Sequence, residues 1–263
     1  ADCKYAFFCL VDVDASDPIL QDRVAMLPPI VSTRKINYSM LSPEQASQRK
    51  ENYKSKKLCC TLENLTDYLM NYDNLLFYRR LGYKITIKAV HVFEKEYLYR
   101  DYIEINSALR QACKSEFEKG LYKALNVIIY GKSLQRNDLH TNIEILSKKN
   151  LIYKRLINPR LKSLEVIKDH KLVMTNTILK YAWFDTCVQA GYHILELSKL
   201  HLYGMIYEKI LPFCEEHKVG VRFLLSDTDS LYYELDFNGS SFSNYAEYTK
   251  AISDATGIFD NHA

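Results

Sequence analysis

The residues best placed to do chemistry lie in Gly220 to Asp236, GVRFLLSDTDSLYYELD. Asp227 and Asp229 stand between two apolar runs, Val221 to Leu225 and Leu231 to Leu235, whose β-branched and aromatic residues predict paired strands. Side chains alternate along an extended backbone, so Asp227 and Asp229 are expected on one side of the tip and Thr228 on the other. Two close carboxylates repel, and an oxygen-seeking divalent cation such as Mg²⁺ relieves that repulsion. A solvated turn accounts equally well for an isolated Asp-Thr-Asp-Ser, because Asp and Ser are ordinary turn residues. The apolar flanks favour the metal reading, since they place the hairpin inside a domain.

A second candidate is Lys123 in NSALRQACKSEFEKGLYKALNVIIYGK. The pattern predicts one helix from Asn106, with Asn106 or Ser107 as N-cap and Gly131 close to its end. Leu109, Cys113, Phe117, Leu121, Leu125 and Ile128 form a stripe expected to face the core. Lys123 and Tyr130 fall within about 20° of each other nearly opposite that stripe, with Asn126 and Val127 beside them. A solvated lysine on an ordinary amphipathic helix is the plain alternative. Exposure of Val127 and Tyr130 on that side argues for a ligand or partner.

These two elements need a scaffold, and 263 residues at 48% apolar content can bury a substantial core. Eight Gly and six Pro exclude a linker-dominated protein. The net charge of +3 is too mild to imply nucleic-acid binding by itself. Seven scattered Cys without C-x-x-C spacing show no disulfide framework or zinc site, which suits a reducing, intracellular compartment. The N-terminus carries too many acids for a signal peptide, and no run approaches the roughly 18 apolar residues of a membrane span. The absence of an initial Met and the ending Asn261-His262-Ala263 are expected of a fragment.

Along the chain, Tyr5 to Val13 and Lys84 to Glu96 read as strands, and Leu65 to Leu81 has helical spacing. Lys35 to Lys57 reads as a polar, basic connection, with a phosphate-binding surface as the alternative. Thr141 to Lys171 is basic again, and Leu172 to Ile178 is a candidate strand. Ile194 to Ile210 reads as a helix that Pro212 ends and that backs the hairpin. The polar tail is helical around Tyr245 to Ile252.

Three stretches in this order resemble family B DNA polymerases of the protein-primed branch found in viruses and self-synthesising DNA transposons. LYKALNVIIYGKSLQ is similar to that family's K-x-x-x-N-[SA]-x-[YF]-G-K helix, GYHILELSKLHLYGMIYEKI to its V-G-x-S-[IV]-L-[DE]-L-S-K helix, and LLSDTDSLYYEL to its Y-x-D-T-D-S hairpin. The resemblance implies an α+β, right-hand polymerase: a palm of antiparallel sheet with helices, plus fingers helices, only part of it in this chain. It divides the chain into N-terminal palm with an insertion (1–105), a fingers helix (106–140), a basic protein-priming-type insertion (141–188) and C-terminal palm with the catalytic hairpin (189–263). It implies Asp227 and Asp229 as catalytic, metal-binding residues for two Mg²⁺ ions, and Lys123, Asn126, Tyr130 and Gly131 as nucleotide-binding residues. The partners implied are a DNA primer–template, deoxynucleoside triphosphates and a terminal priming protein, with no membrane.

The chain departs from the family at three places. Leu225 replaces the Tyr of the hairpin motif, and Val127 replaces the family's Asn, with Asn126 one position early. The upstream D-x-x-[SN]-L-Y motif, source of the other metal carboxylate, is missing. Asp12 and Asp14 in LVDVDASDP better resemble the later segment E-V-D-L-E-Y-P. The chain is therefore expected to start downstream of that motif and to lack primer extension on its own. An element-derived relic that keeps the fold and binds nucleic acid or a partner is the alternative, and a structural calcium turn a third.

Overall fold

Apolar alternation in YAFFCLVDVD produces the first strand, β1 (Tyr5–Asp14), in a computed structural model that describes residues 4–168, 172–227 and 230–258. There follow α1 (Pro18–Val24), β2 (Val31–Asn37), α2 (Pro43–Ser47), β3 (Lys54–Cys60), β4 (Leu65–Asn71), α3 (Tyr72–Leu81) and β5 (Lys84–Glu94). Next come α4 (Arg100–Ala112), α5 (Glu116–Ser133), β6 (Thr141–Leu146), α6 (Lys149–Leu156), β7 (Leu161–Lys168) and β8 (Leu172–Ile178). The rest is α7 (Val188–Met205), a π-helical turn (Ile206–Ile210), α8 (Leu211–Glu216), β9 (Gly220–Asp227), β10 (Ser230–Asp236) and α9 (Tyr245–Thr256). The fold class is α+β, and the described sheets, β4-β1-β5, β2-β3, β6-β8-β7 and β9-β10, are all antiparallel. No helix among the described residues is long and apolar enough to cross a membrane.

The chain divides into two compact units, Ala1–Tyr97 with His193–Ala263, and Leu98–Tyr192. In the first, the inward side chains Cys9, Val11 and Val13 of β1 join Leu75, Phe77, Tyr78 and Leu81 of α3 and Leu20 and Val24 of α1 in one core. Tyr203, Ile206 and Tyr207 complete that core from the C-terminal half of the sequence. A second cluster gathers Ile210, Phe213, Cys214 and Val219 around the fully buried Tyr248 and Ile252 of α9. The core tyrosines have a double use, which accounts for part of the count of 21. Their rings fill space while a hydroxyl satisfies loop backbone: Tyr207 donates to the Leu27 carbonyl at 2.6 Å and Tyr78 to the Pro29 carbonyl at 3.5 Å. The second unit buries much less, and Val173 is the only apolar side chain fully buried among its described residues.

Five sequence expectations are corrected. Leu65 to Asn71 is strand, not helix, because pairing with β1 overrides its helical spacing; the helix begins at Tyr72 and stops at Gly82, whose φ of 116° closes it in the left-handed region. The helix expected from Asn106 is two helices, broken where Cys113 turns extended (φ −70°, ψ 138°), and Asn106 is a buried interior residue of α4 rather than a cap. The stripe expected in a core is open, with Phe117 80% exposed and Leu109, Leu121 and Ile128 also exposed. Pro212 does not end the helical run. The π turn before it loosens the hydrogen-bond ladder that proline would otherwise break, and Pro212 sits in the first turn of α8. The connection expected from Lys35 to Lys57 is a ribbon, β2 and β3 paired in register from Val31↔Cys60 to Asn37↔Lys54.

Tyr207→Phe isolates the hydroxyl from the ring. It is expected to lower the free energy of unfolding by about 1 kcal/mol through loss of the donor to Leu27, read by urea denaturation.

Candidate functional site

The hairpin forms as its apolar runs predict, and its register brings Asp227 opposite Ser230. Val221, Phe223, Leu231, Tyr233 and Leu235 pack inward against the two cores of the first unit. The open end is closed tightly at Gly220 opposite Asp236, where a Cβ would stand 3.0 Å from the Asp236 Cβ. The ladder steps from Leu225↔Tyr232 to Phe223↔Tyr233, so Leu224 is an extra residue, a bulge. Perfect alternation from the inward Phe223 would turn Leu225 and Asp227 inward as well. The bulge rephases the strand, and Leu225, 60% exposed, and Asp227 open to the outside. Leu225 and Asp227, two apart on extended backbone, share one face, so the tyrosine hydroxyl absent at 225 is absent from the face that carries the carboxylate. Asp229 and Thr228 lie outside the described residues, and the expected co-alignment of the two carboxylates lies with them.

Lys123, Asn126, Tyr130 and Gly131 all lie on α5. Lys123 and Gly131 are exposed, Tyr130 is half-buried, and Val127 is exposed beside them. A side chain at Gly131 would meet nothing within 4 Å, so the protein's own packing does not require glycine there. Asn126 turns toward α4 instead, its Nδ2 donating to Ser107 Oγ at 3.4 Å, while its Oδ1 is buried without a partner. Ser133 Oγ donates to the Tyr130 carbonyl at 2.8 Å, and a Cβ at Gly191 would collide with that hydroxyl and come within 2.6 Å of Leu134 Cγ. The glycine of the GYHILELSK stretch therefore admits the end of α5 against the start of α7.

The rest of that stretch holds the fold. Glu196, almost fully buried, pairs with Lys199 one turn on, Asn74 Nδ2 donates to the Glu196 carbonyl at 3.0 Å, and His193 Nδ1 lies 3.0 Å from Asn71 Nδ2. Burial pushes the His193 imidazole below its ordinary value.

Asp12 and Asp14 are engaged elsewhere. Lys88 Nζ reaches Asp12 at 2.8 Å and Asp67 at 2.9 Å, and the Asp67 backbone N–H donates to Asp12 at 3.0 Å. Lys88 holds the Asp12 carboxyl below the usual carboxylate range. Asp14 accepts from the backbone and hydroxyl of Ser16 at 2.9 and 2.6 Å. In the basic stretch after Thr141, Arg155 is likewise committed, to Glu144, while Lys148, Lys149, Lys154, Arg160 and Lys162 are exposed.

Asp227 supplies the hard oxygen donor that Mg²⁺ takes. Among the described residues no three His, Cys, Asp or Glu side chains gather closely enough to hold a metal ion. The fit to a metal is therefore one of donor chemistry at the hairpin tip.

The family model for DNA polymerase type B, organellar and viral, matches residues 23–203, most of the chain. The chain belongs to that family. The matched span holds Lys123, Asn126, Tyr130 and Gly131, and the hairpin follows it. No curated protein and no solved structure matches the chain.

The depressed pKa of Asp12 fixes the sign of an acid effect. Its pairing stabilises the fold above the ordinary carboxylate value of 3.8, and that contribution is lost as pH falls below it. Asp12→Asn is expected to flatten part of the acid loss of stability, measured by urea unfolding between about pH 5 and about pH 2.

Proposed function

We propose that this chain provides palm and fingers elements of a DNA-directed DNA polymerase that performs template-dependent nucleotidyl transfer to a primer hydroxyl. The observation that carries the reading is the exposed Lys123, Val127 and Gly131 surface of α5, inside the span that matches type B polymerases. In this reading the first unit, with the β9–β10 hairpin, is palm and the α4–α5 pair is fingers. The basic stretch 141–188 is the region that meets a priming protein.

Phosphoryl transfer leaves the protein little covalent work, so positioning and charge stabilisation are what its residues contribute. Lys123 places a cation on the phosphates of the incoming deoxynucleoside triphosphate. Tyr130 supplies a ring beside the nascent base pair, and Gly131 leaves room for it to approach. Asn126 holds α5 against α4 and keeps one unused acceptor. Asp227, with Asp229, would hold Mg²⁺, which when bound neutralises phosphate charge and activates the attacking hydroxyl.

The outward Leu225 on the face of Asp227 favours one second reading, an element-derived domain that retains DNA binding without incorporation. Primer extension separates the two. Lys123→Ala is expected to reduce incorporation by about 10²-fold, chiefly by raising the nucleotide KM, with primer–template affinity retained. Equal loss of DNA binding would contradict the assignment of Lys123. Asp227→Asn is expected to lower kcat with little change in nucleotide KM. Incorporation that persists unchanged in that variant would remove the hairpin from the mechanism.

A further inference from the structure

The β2–β3 ribbon has no place in the scheme above, and its charges are unusual. It is rooted where Ile30 and Thr61, both buried, join through Thr61 N–H donating to the Ile30 carbonyl at 2.9 Å. Between those anchors no residue from 31 to 60 is buried. A two-stranded ribbon without a buried face is marginal by itself, so this one draws its order from its root and from whatever it contacts.

The cross-strand pairs oppose it further. Arg34 lies directly opposite Lys57, and Lys35 directly opposite Lys56. Like charges in facing positions destabilise a sheet. Adjacent pairs project to opposite faces, so both faces of the ribbon carry cations. Glu63 answers Arg34 at 2.6 Å, but among the described residues no carboxylate pairs with Lys35, Lys54, Lys56 or Lys57. From 31 to 60 there are seven Lys and Arg against Glu44 and Glu51, a net +5, whereas the whole chain is +3. The remainder is therefore net −2. Positive charge thus gathers on this segment as it does on the basic stretch 141–188, which is also net +5.

We propose that the β2–β3 ribbon is an arm that grips the phosphate backbone of duplex DNA. A two-stranded ribbon has the width of a DNA groove, and a groove presents phosphates along both walls, which matches cations on both faces. The inference rests on DNA being the substrate, but it uses no residue of the hairpin or of α5. It differs from a solvated charge run in one respect that can be measured: the repulsion between Lys35 and Lys56 is relieved by ligand, so mutation separates stability from binding.

The test is fluorescence anisotropy of a labelled hairpin primer–template titrated with the full chain across a salt series, alongside thermal melting. Lys56→Glu turns a repulsive pair into an attractive one, so Tm is expected to hold or rise while duplex affinity falls at least about tenfold at low salt. The double variant Lys35→Gln with Lys56→Gln is expected to make the slope of log K against log salt shallower by about 2. Unchanged affinity and slope in both variants, with wild-type protein binding the duplex, would overturn the arm and leave the polymerase reading standing. Failure of the wild-type protein to bind duplex at any salt would overturn both. Unchanged duplex affinity with charge-sensitive binding to poly-L-glutamate would overturn it in favour of an acidic protein partner.

Discussion

Burial of Tyr203, Ile206 and Tyr207 between β1, α3 and the Leu27 to Ile30 loop is the contact on which the larger unit depends. The three residues lie more than 100 positions from the strand and helix they cover, so this packing closes the chain on itself. It gives the hairpin its floor, since Phe223 and Leu231 pack against the same core. It also roots the ribbon, because Tyr78 and Tyr207 donate to carbonyls just before Ile30. Two features thus share one foundation of aromatic rings and hydroxyls. Hydroxyl donation from within a core is an economical way to anchor a loop, because each buried carbonyl left unpaired would be costly.

Charge in this protein falls into two kinds. Asp12 with Lys88, Glu196 with Lys199, and Arg155 with Glu144 are matched locally and serve the fold. Lys123 and the ribbon lysines project outward without a matching carboxylate among the described residues. This sorting bears directly on motif reading. Glu196 and Lys199 belong to a stretch resembling a polymerase motif, yet their side chains neutralise each other inside the protein, so that similarity reflects how α7 is held. Asp12, attractive by sequence as a metal ligand, is tied to the lysine on the neighbouring strand. Lys123 and Gly131 satisfy no evident packing need, and that is what makes them functional candidates.

Much of the local structure was legible along the chain. The runs flanking Asp227 made a hairpin, Leu172 to Ile178 made β8, and of the apolar spacing at 194, 197, 200, 203, 206 and 210 the last three positions are buried while Ile194 and Leu197 are exposed. The misreadings share a cause. Leu65 to Asn71 has helical spacing, but β1 offers an unpaired edge and takes it as strand. The 106–132 pattern looked like one amphipathic helix, but it breaks at Cys113 and most of its stripe lies open, because periodicity reports which residues are apolar and not what covers them. The ribbon was hidden because Lys35 to Lys57 is polar throughout, and in-register pairing of two polar strands leaves little hydrophobic signature.

Residue identity alone was enough to nominate candidates for chemistry: carboxylates between apolar runs, a lysine and a glycine on one helix, and an order of motifs similar to type B DNA polymerases, the family to which the chain belongs. Identity and spacing act locally, through backbone alternation and helical periodicity, and these survive in any window of sequence. Which charges are matched, which face of the hairpin Asp227 occupies, and that five cations stand on one ribbon were decided by tertiary structure. Those outcomes depend on a one-residue bulge at Leu224 and on pairings between distant segments. A single inserted residue reverses every side chain beyond it, and no local pattern records which strand a distant strand will meet.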